Sequence, residues 1–330
     1  MRLTRRVFLE GAGSLAAALA LAACGGDDTD AGDEEVVEQE VEAATEPEEE
    51  PEPEPEEPFP TIEETVLLDT EGVKVVATSL EKRESNVGEE AVLSLRLENN
   101  REAGVRMTGL AGSINGIMVY GWNNMAFDET VEAGSSVNTE MAVDLGHDEQ
   151  YGLTRQNTWL GDLGIGTIAN IEFYLQVHEE AAPFADVFTG GPLKLSTSAA
   201  GEYVQEYDDD GEAIYDDNGI TLISKGIQDF GNDSWHSCYL VYEVINSRDE
   251  VIDIDDTGIV NGGVEDMGSE LGVSVIVAPG CRHMAAGSIW GDKVQEEGVA
   301  AIESVSYTGT VQDLLTREGL FTFETSPVAP

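Results

Sequence analysis

Glu206, Asp208, Asp210 and Asp217 stand at positions 1, 3, 5 and 12 of the run EYDDDGEAIYDD, with Gly211 at position 6. Carboxylate oxygens at that spacing around a turn-forming glycine imitate the oxygen cage of an EF-hand loop, so calcium is the metal they would hold. The imitation is incomplete, because Glu opens the run and Asp closes it where a bidentate Glu is usual, and no helical pattern flanks it. The same residues also read as two successive turns, YDDDG and YDDNG, in which Asp and Asn bond to nearby backbone and Gly takes positive φ. No other cofactor is implied.

Cys238 and Cys281 are a second candidate pair. An exported chain with two such thiols can bridge them, whereas a buried thiol at Cys238 is the alternative. Their counterparts under the repeat described below, Ala91 and Ser135, show that the fold does without them. Asp253, Asp255 and Asp256 in DIDDTG could join a cation site or line a solvated edge. Trp122, Trp159, Trp235 and Trp290 could form a carbohydrate platform or pack cores and loops. His147, His178, His236 and His283 are scattered, without metal spacing, and the sequence contains no CxxC, HExxH, Walker loop, GxGxxG or GxSxG motif.

The elements that must position these groups are strands. Ala91, Leu93, Leu95 and Leu97 alternate with Ser94, Arg96 and Glu98. Ile171, Phe173, Leu175 and Val177 alternate with Glu172, Tyr174 and Gln176. Cys238, Leu240, Tyr242 and Val244 repeat the pattern, as do Val305, Tyr307 and Val311. Period-two alternation puts one set inside and the other outside an antiparallel sheet.

The strands recur in order. DTEGVKVVATSL at 69 to 80 aligns with DDNGITLISKGI at 216 to 227, and AVLSLRLENN from Ala91 aligns with CYLVYEVINS from Cys238, both at an offset of 147. GSINGIMV from Gly112 and VEAGSS from Val131 meet GIVNGGVE and VAPGCR at 146. GIGTIANIEFYLQV from Gly164 meets GVAAIESVSYTGTV at 134, and GPLKLSTS from Gly191 meets GLFTFETS at 128. The offset only falls, as loops shortened between retained elements would make it fall. The chain therefore predicts an all-β fold of two tandem antiparallel β-sandwiches, at 61–199 and 200–328.

Ahead of them, Arg2, Arg5 and Arg6 precede a small apolar core from Gly11 to Ala23, shorter than the roughly 20 residues that cross a bilayer. TRRVFL resembles a twin-arginine (Tat) export signal with Arg5 and Arg6 as its pair, and LAAC resembles a bacterial lipobox with Cys24 as the lipidated residue. The resemblance implies a signal peptide at 1–23, cleaved to leave an acylated (palmitate-bearing) cysteine whose two chains anchor the protein stably. Residues 24–60 form an acidic Pro/Glu-rich linker without Lys or Arg, which composition predicts to be disordered and extended. At roughly 3.1 Å per residue it could reach on the order of 110 Å.

The DxxG opening, the EN and IN strand ends at Asn99 and Asn246, and the NG turns at Asn115 and Asn261 are similar to those of Gram-positive and actinobacterial surface lipoproteins with immunoglobulin-like domains. That resemblance implies immunoglobulin-like sandwiches in an extracytoplasmic setting, on the outer face of the cell membrane, and no reaction. With 66 acidic residues against 16 basic ones, the net charge of -50 repels nucleic acid. The expected partners are the membrane, through the lipid anchor, and an envelope protein or glycan. The expected role is a non-enzymatic binding or interaction module. The alternatives are a ligand-capture lipoprotein serving a transporter and an accessory subunit of an exported enzyme.

Overall fold

The chain divides into two units, Met1–Pro55 and Glu56–Pro330. The computed structural model describes residues 58–86, 88–119, 125–147, 159–229, 238–266, 275–289 and 303–329, all within the second unit. The lipidation residue Cys24, the Arg5 and Arg6 pair, the acidic linker up to residue 57, Trp122, Trp235, Trp290 and His236 lie outside them.

Among the described residues there is no helix, and the strands form three sheets. The first copy contributes β1 (Thr65–Thr70), β2 (Val73–Glu84), β3 (Glu89–Asn99), β4 (Val105–Ile114), β5 (Ile117–Met118), β6 (Phe127–Val131), β7 (Ser135–Asp144), β8 (Asn170–Glu179) and β9 (Ala182–Ser196). The second contributes β10 (Glu212–Asp217), β11 (Ile220–Asp229), β12 (Cys238–Asn246), β13 (Ile252–Val260), β14 (Val264–Asp266), β15 (Val275–Val277), β16 (Arg282–Ile289), β17 (Val305–Asp313) and β18 (Gly319–Glu324).

In each copy one sheet follows the order of its first, second, third and seventh strands, and the other follows fifth, fourth, eighth and ninth. The sixth strand shares the free side of the fourth with the fifth. Assigning β2, β3 and β7 to A, B and E, and β5, β4, β8 and β9 to C′, C, F and G, reproduces the strand order of the immunoglobulin sandwich.

The two sandwiches share a sheet. The second sheet of copy one and the first sheet of copy two run together as nine strands, joined where β16 pairs in parallel with β5 at Arg282 and Ile117. The Arg282 amide donates to the Gly116 carbonyl at 2.9 Å. Sheet β1-β2-β3-β7 closes the first core, which holds Leu93, Leu95, Leu97, Met107, Phe173, Leu175 and Val177. Sheet β14-β13-β17-β18 closes the second, with Leu240, Tyr242, Val244, Ile252, Ile254, Val305, Tyr307 and Val311. Tyr174, which alternation assigns to the solvent side of β8, packs with Leu110, Ala111 and Met118 into the second core. The two cores therefore lie on opposite faces of the shared sheet.

Local geometry repeats down to single bonds. The β1–β2 turn at Glu71 and Gly72 has φ of 50° and 77°, and the β10–β11 turn at Asn218 and Gly219 has 54° and 76°, the left-handed pair of a tight hairpin. Register shifts at Val66/Leu68 and Ala77/Ser79 recur at Ala213/Tyr215 and Ser224/Gly226. Asn115 Oδ1 accepts from the amides of Ala169 and Asn170, and Asn261 Oδ1 from those of Glu303 and Ser304.

One difference explains the first drop in offset. Facing β8, β4 slips register between Leu110 and Ser113, with Ala111 at φ 53°, whereas β13 pairs with β17 without a shift. The residue lost between the copies is thus a β-bulge and not a shortened loop. The bulge sits where the first copy meets the second.

Candidate functional site

The acidic run at 206 to 217 lies at the junction of the two copies, and its first half is a strap laid across the shared sheet. β12 alternates Tyr242 and Val244 into the second core and presents Glu243 on the opposite face, where its side chain is only 7% exposed. Lys225 on β11 and Arg282 on β16 flank it, with Lys225 Nζ 3.6 Å and Arg282 Nη1 3.4 Å from its carboxylate. A buried carboxylate needs such partners, because burial removes the water that would otherwise solvate its charge.

The strap completes the cluster from outside. Lys225 Nζ donates to the carbonyls of Asp208 and Asp210 at 2.7 and 2.6 Å, and it lies 3.8 Å from the Asp208 carboxylate. Arg282 also pairs with the Asp209 carboxylate, and its guanidinium carbon stands 4.2 Å from the centroid of the Tyr207 ring. Such a cation over an aromatic face adds attraction beyond the ion pair. Burial pushes the Tyr207 hydroxyl pKa up, with Arg282 opposing.

The strap reaches the first copy as well. The Tyr207 hydroxyl donates to the Asn115 carbonyl at 3.0 Å, Gln205 Nε2 to the Gly164 carbonyl at 3.0 Å, and the Tyr203 hydroxyl to Gln205 Oε1 at 3.1 Å. Gly116 is required beneath it: its φ is 81°, and a Cβ there would lie 2.8 Å from the Tyr207 hydroxyl. The arrangement can neutralise its own acids and clamp two sandwiches together.

This geometry corrects the calcium expectation. Residues 206–217 do not close into a loop, because Glu212–Asp217 is the extended strand β10. Six residues at about 3.3 Å each put Asp217 roughly 20 Å beyond Gly211, and its carboxylate accepts from the Asn218 amide in the hairpin turn. Glu206, Asp208, Asp210 and Asp217 are not brought together, and the ammonium of Lys225 occupies the carbonyl-lined position of the strap. Among the described residues no group of three or more His, Cys, Asp or Glu is placed to hold a metal ion.

The disulfide expectation is corrected too. Cys281 is a free, buried thiol whose carbonyl accepts from the Asn246 amide, and its sulfur lies 3.8 Å from Ser113 Oγ. The backbone of Cys238 pairs with Ile289, at the opposite end of the β12–β16 ladder. A bridge requires Cα atoms within about 7 Å, and about eight strand residues at roughly 3.3 Å each separate the two.

The DIDDTG aspartates are divided between the two faces of β13, which is internal to its sheet, and only Asp255 of the three faces solvent. Asp253 is buried on its outer face, accepting from Gln312 Nε2 at 2.8 Å with Arg317 at 3.3 Å. Asp256 points into the second core and accepts from the Tyr242 hydroxyl at 2.8 Å. Burial pushes its carboxyl pKa up, partly opposed by that bond. Asp255 is exposed.

The described histidines do not converge. His147 lies 3.1 Å from Asp162, His178 is on β8, and buried His283 sits 2.8 Å from the Ile276 carbonyl, its pKa lowered by burial. Trp159 packs over Gly88 and Gly146. A recess on the first copy is lined by Arg106, Asp128, Thr130, Glu179 and Glu180, of which Arg106 and Asp128 form a bidentate pair.

Sequence reasoning missed Glu243, Lys225, Arg282 and Tyr207. A signal was present: under the repeat these charged residues align with Arg96, Thr78 and Ser136, so the charge pattern belongs to the second copy alone.

No family model matches the chain, and no curated protein does. Among solved structures, that of a red sea bream transglutaminase is similar at a TM-score of 0.19 and 11% identity, over 76% of this chain and 30% of that one. The chain thus spans under a third of that protein, and the likeness is too slight to carry an argument.

Proposed function

We propose that the protein is a lipid-anchored component of the outer face of a bacterial cell membrane and acts there as a non-enzymatic binding or interaction module. Arg5, Arg6 and Cys24 support the export and anchoring part through their motifs. The observation that carries the module reading is how the charged groups at the joint are used. Glu243, Lys225, Arg282 and Asp209 neutralise one another across it, so they serve to hold two sandwiches as one body. A rigid scaffold of that kind presents its end loops for recognition.

Two measurements test this. Labelled palmitate enters the wild-type chain, and Cys24→Ala moves the protein from the membrane to the soluble fraction; retention of the variant in the membrane would remove the anchor. The soluble Cys24→Ala chain, immobilised and exposed to envelope extract, retains an envelope protein or glycan saturably. Saturable binding of one small molecule would instead support capture for a transporter, and turnover of a substrate would replace the module reading with an enzymatic one.

A further inference from the structure

Three positions of the second core depart from the first in the same chemical direction. Tyr242, Asp256 and Tyr307 occupy the places that Leu95, Gly109 and Phe173 hold in the first copy. The registers fix these equivalences: Leu95 faces Ala77 as Tyr242 faces Ser224, and Gly109 faces Leu175 as Asp256 faces Gly309. The three residues come from three strands in two sheets, β12, β13 and β17, and they meet. Tyr242 donates to Asp256 at 2.8 Å, the two tyrosine rings are 5.5 Å apart, and the tyrosines are 2% and 1% exposed.

Stability alone does not account for the cluster. Asp256 Oδ1 has no hydrogen-bond partner among the described residues, and an incompletely satisfied buried acid costs more than the apolar residues it replaces. A duplicated chain has a different problem: every strand of one copy has a decoy of the same hydrophobic pattern in the other.

We propose that the buried Tyr242–Asp256–Tyr307 cluster is a pairing code that makes the second sandwich accept only its own strands, so that the two copies do not exchange strands within a chain or between chains. If β3 took the place of β12, Leu95 would face Asp256 and leave its carboxyl without the Tyr242 hydroxyl. If β4 took the place of β13, Gly109 would leave that hydroxyl without its acceptor. If β12 entered the first core, it would bring a buried hydroxyl and extra volume against Gly109 and Phe173. Each wrong exchange strands a polar group in a dry core, which is the most expensive form of mismatch available there.

The test is refolding of the full chain carrying Cys24→Ala, diluted from denaturant at several protein concentrations, with native monomer resolved by size exclusion. The triple variant Tyr242→Leu, Asp256→Gly, Tyr307→Phe installs the first copy's residues. Its yield of native monomer should fall at least threefold, with swapped dimers and larger species in its place that increase with concentration. Asp256→Asn, which keeps an acceptor for Tyr242, should refold with the wild-type yield. Val305→Ala, a purely apolar lesion of the same core, sets how far yield falls from lost stability alone. The proposal is overturned if the triple variant refolds like wild type, or loses no more monomer than Val305→Ala does. Tyr242→Phe removes one oxygen and keeps the ring, so it carries the test if the triple variant does not fold; an unchanged yield there overturns the proposal equally.

Discussion

Asn99 and Asn246, separated by 147 positions, make the same three hydrogen bonds from the same fully buried site. Asn99 Nδ2 donates to the carbonyls of Ala103 and Val131, both at 2.9 Å, and Oδ1 accepts from the Arg101 amide at 3.0 Å. Asn246 Nδ2 donates to Glu250 and Val277, both at 2.9 Å, and Oδ1 accepts from Arg248 at 2.9 Å. In each copy one carboxamide thereby ties the end of the third strand to two other segments of its sandwich.

Replacing either asparagine by alanine should cost about 2–3 kcal/mol, since three bonds go and the stranded carbonyls and amide stay buried. Chemical denaturation should show similar losses for Asn99→Ala and Asn246→Ala. A loss under about 0.5 kcal/mol at either site would show that water replaces the carboxamide there.

At the joint, Arg282→Met should destabilise the protein by about 2–3 kcal/mol, because it leaves the buried Glu243 with Lys225 alone. The double variant Arg282→Met, Glu243→Gln should recover part of that loss, which a double-mutant cycle would measure. Faster proteolysis within residues 199–211 should accompany the single variant, as the strap loses its Asp209 and Tyr207 contacts.

The buried carboxyl of Asp256 makes stability depend on pH in an unusual direction. Its folded pKa is raised, so the folded state binds the proton more tightly than the unfolded state does. The contribution is complete below the ordinary carboxylate value of about 4 and is lost as pH rises through the raised folded value. Asp256→Asn should therefore gain stability relative to wild type on going from pH 4 to pH 7, as followed by denaturation midpoints. Asp128 has the opposite sign: the Arg106 hydrogen bonds lower its pKa, and its stabilisation is lost as pH falls.

Calcium titrated into the protein at millimolar concentration should give no binding heat assignable to Glu206, Asp208, Asp210 and Asp217, and Asp217→Asn should leave the calorimetric trace unchanged. A saturable heat abolished by Asp208→Asn would mean that the strap releases Lys225 and rearranges around the metal.

Much of the fold was legible because strand alternation and turn chemistry are local. Leu93, Leu95 and Leu97 announce a buried face through period two, and the Asn-Gly and Asp-Asn-Gly runs announce their turns through positive φ. The repeat was legible because Asn99, Asn115, Asn246 and Asn261 keep their places in the strand and turn patterns of both copies, although the bonds they make reach residues far along the chain. The joint was not. Tyr174 reads as solvent-facing on β8, and only the second sandwich covers it. The acidic run could not reveal that Lys225 on the neighbouring strand and Arg282 on a distant one supply its cations.

The sequence by itself determined the all-β class, the faces of the strands, the duplication and the turns, because each follows from bond geometry and side-chain type within a few residues. Only the tertiary structure decided which surfaces the two copies share, that Glu243 and Asp256 are buried while Asp255 is not, and that Cys238 and Cys281 lie at opposite ends of one ladder. Those outcomes depend on contacts between residues far apart in the chain, and desolvation and charge pairing there are set by the neighbours that folding supplies.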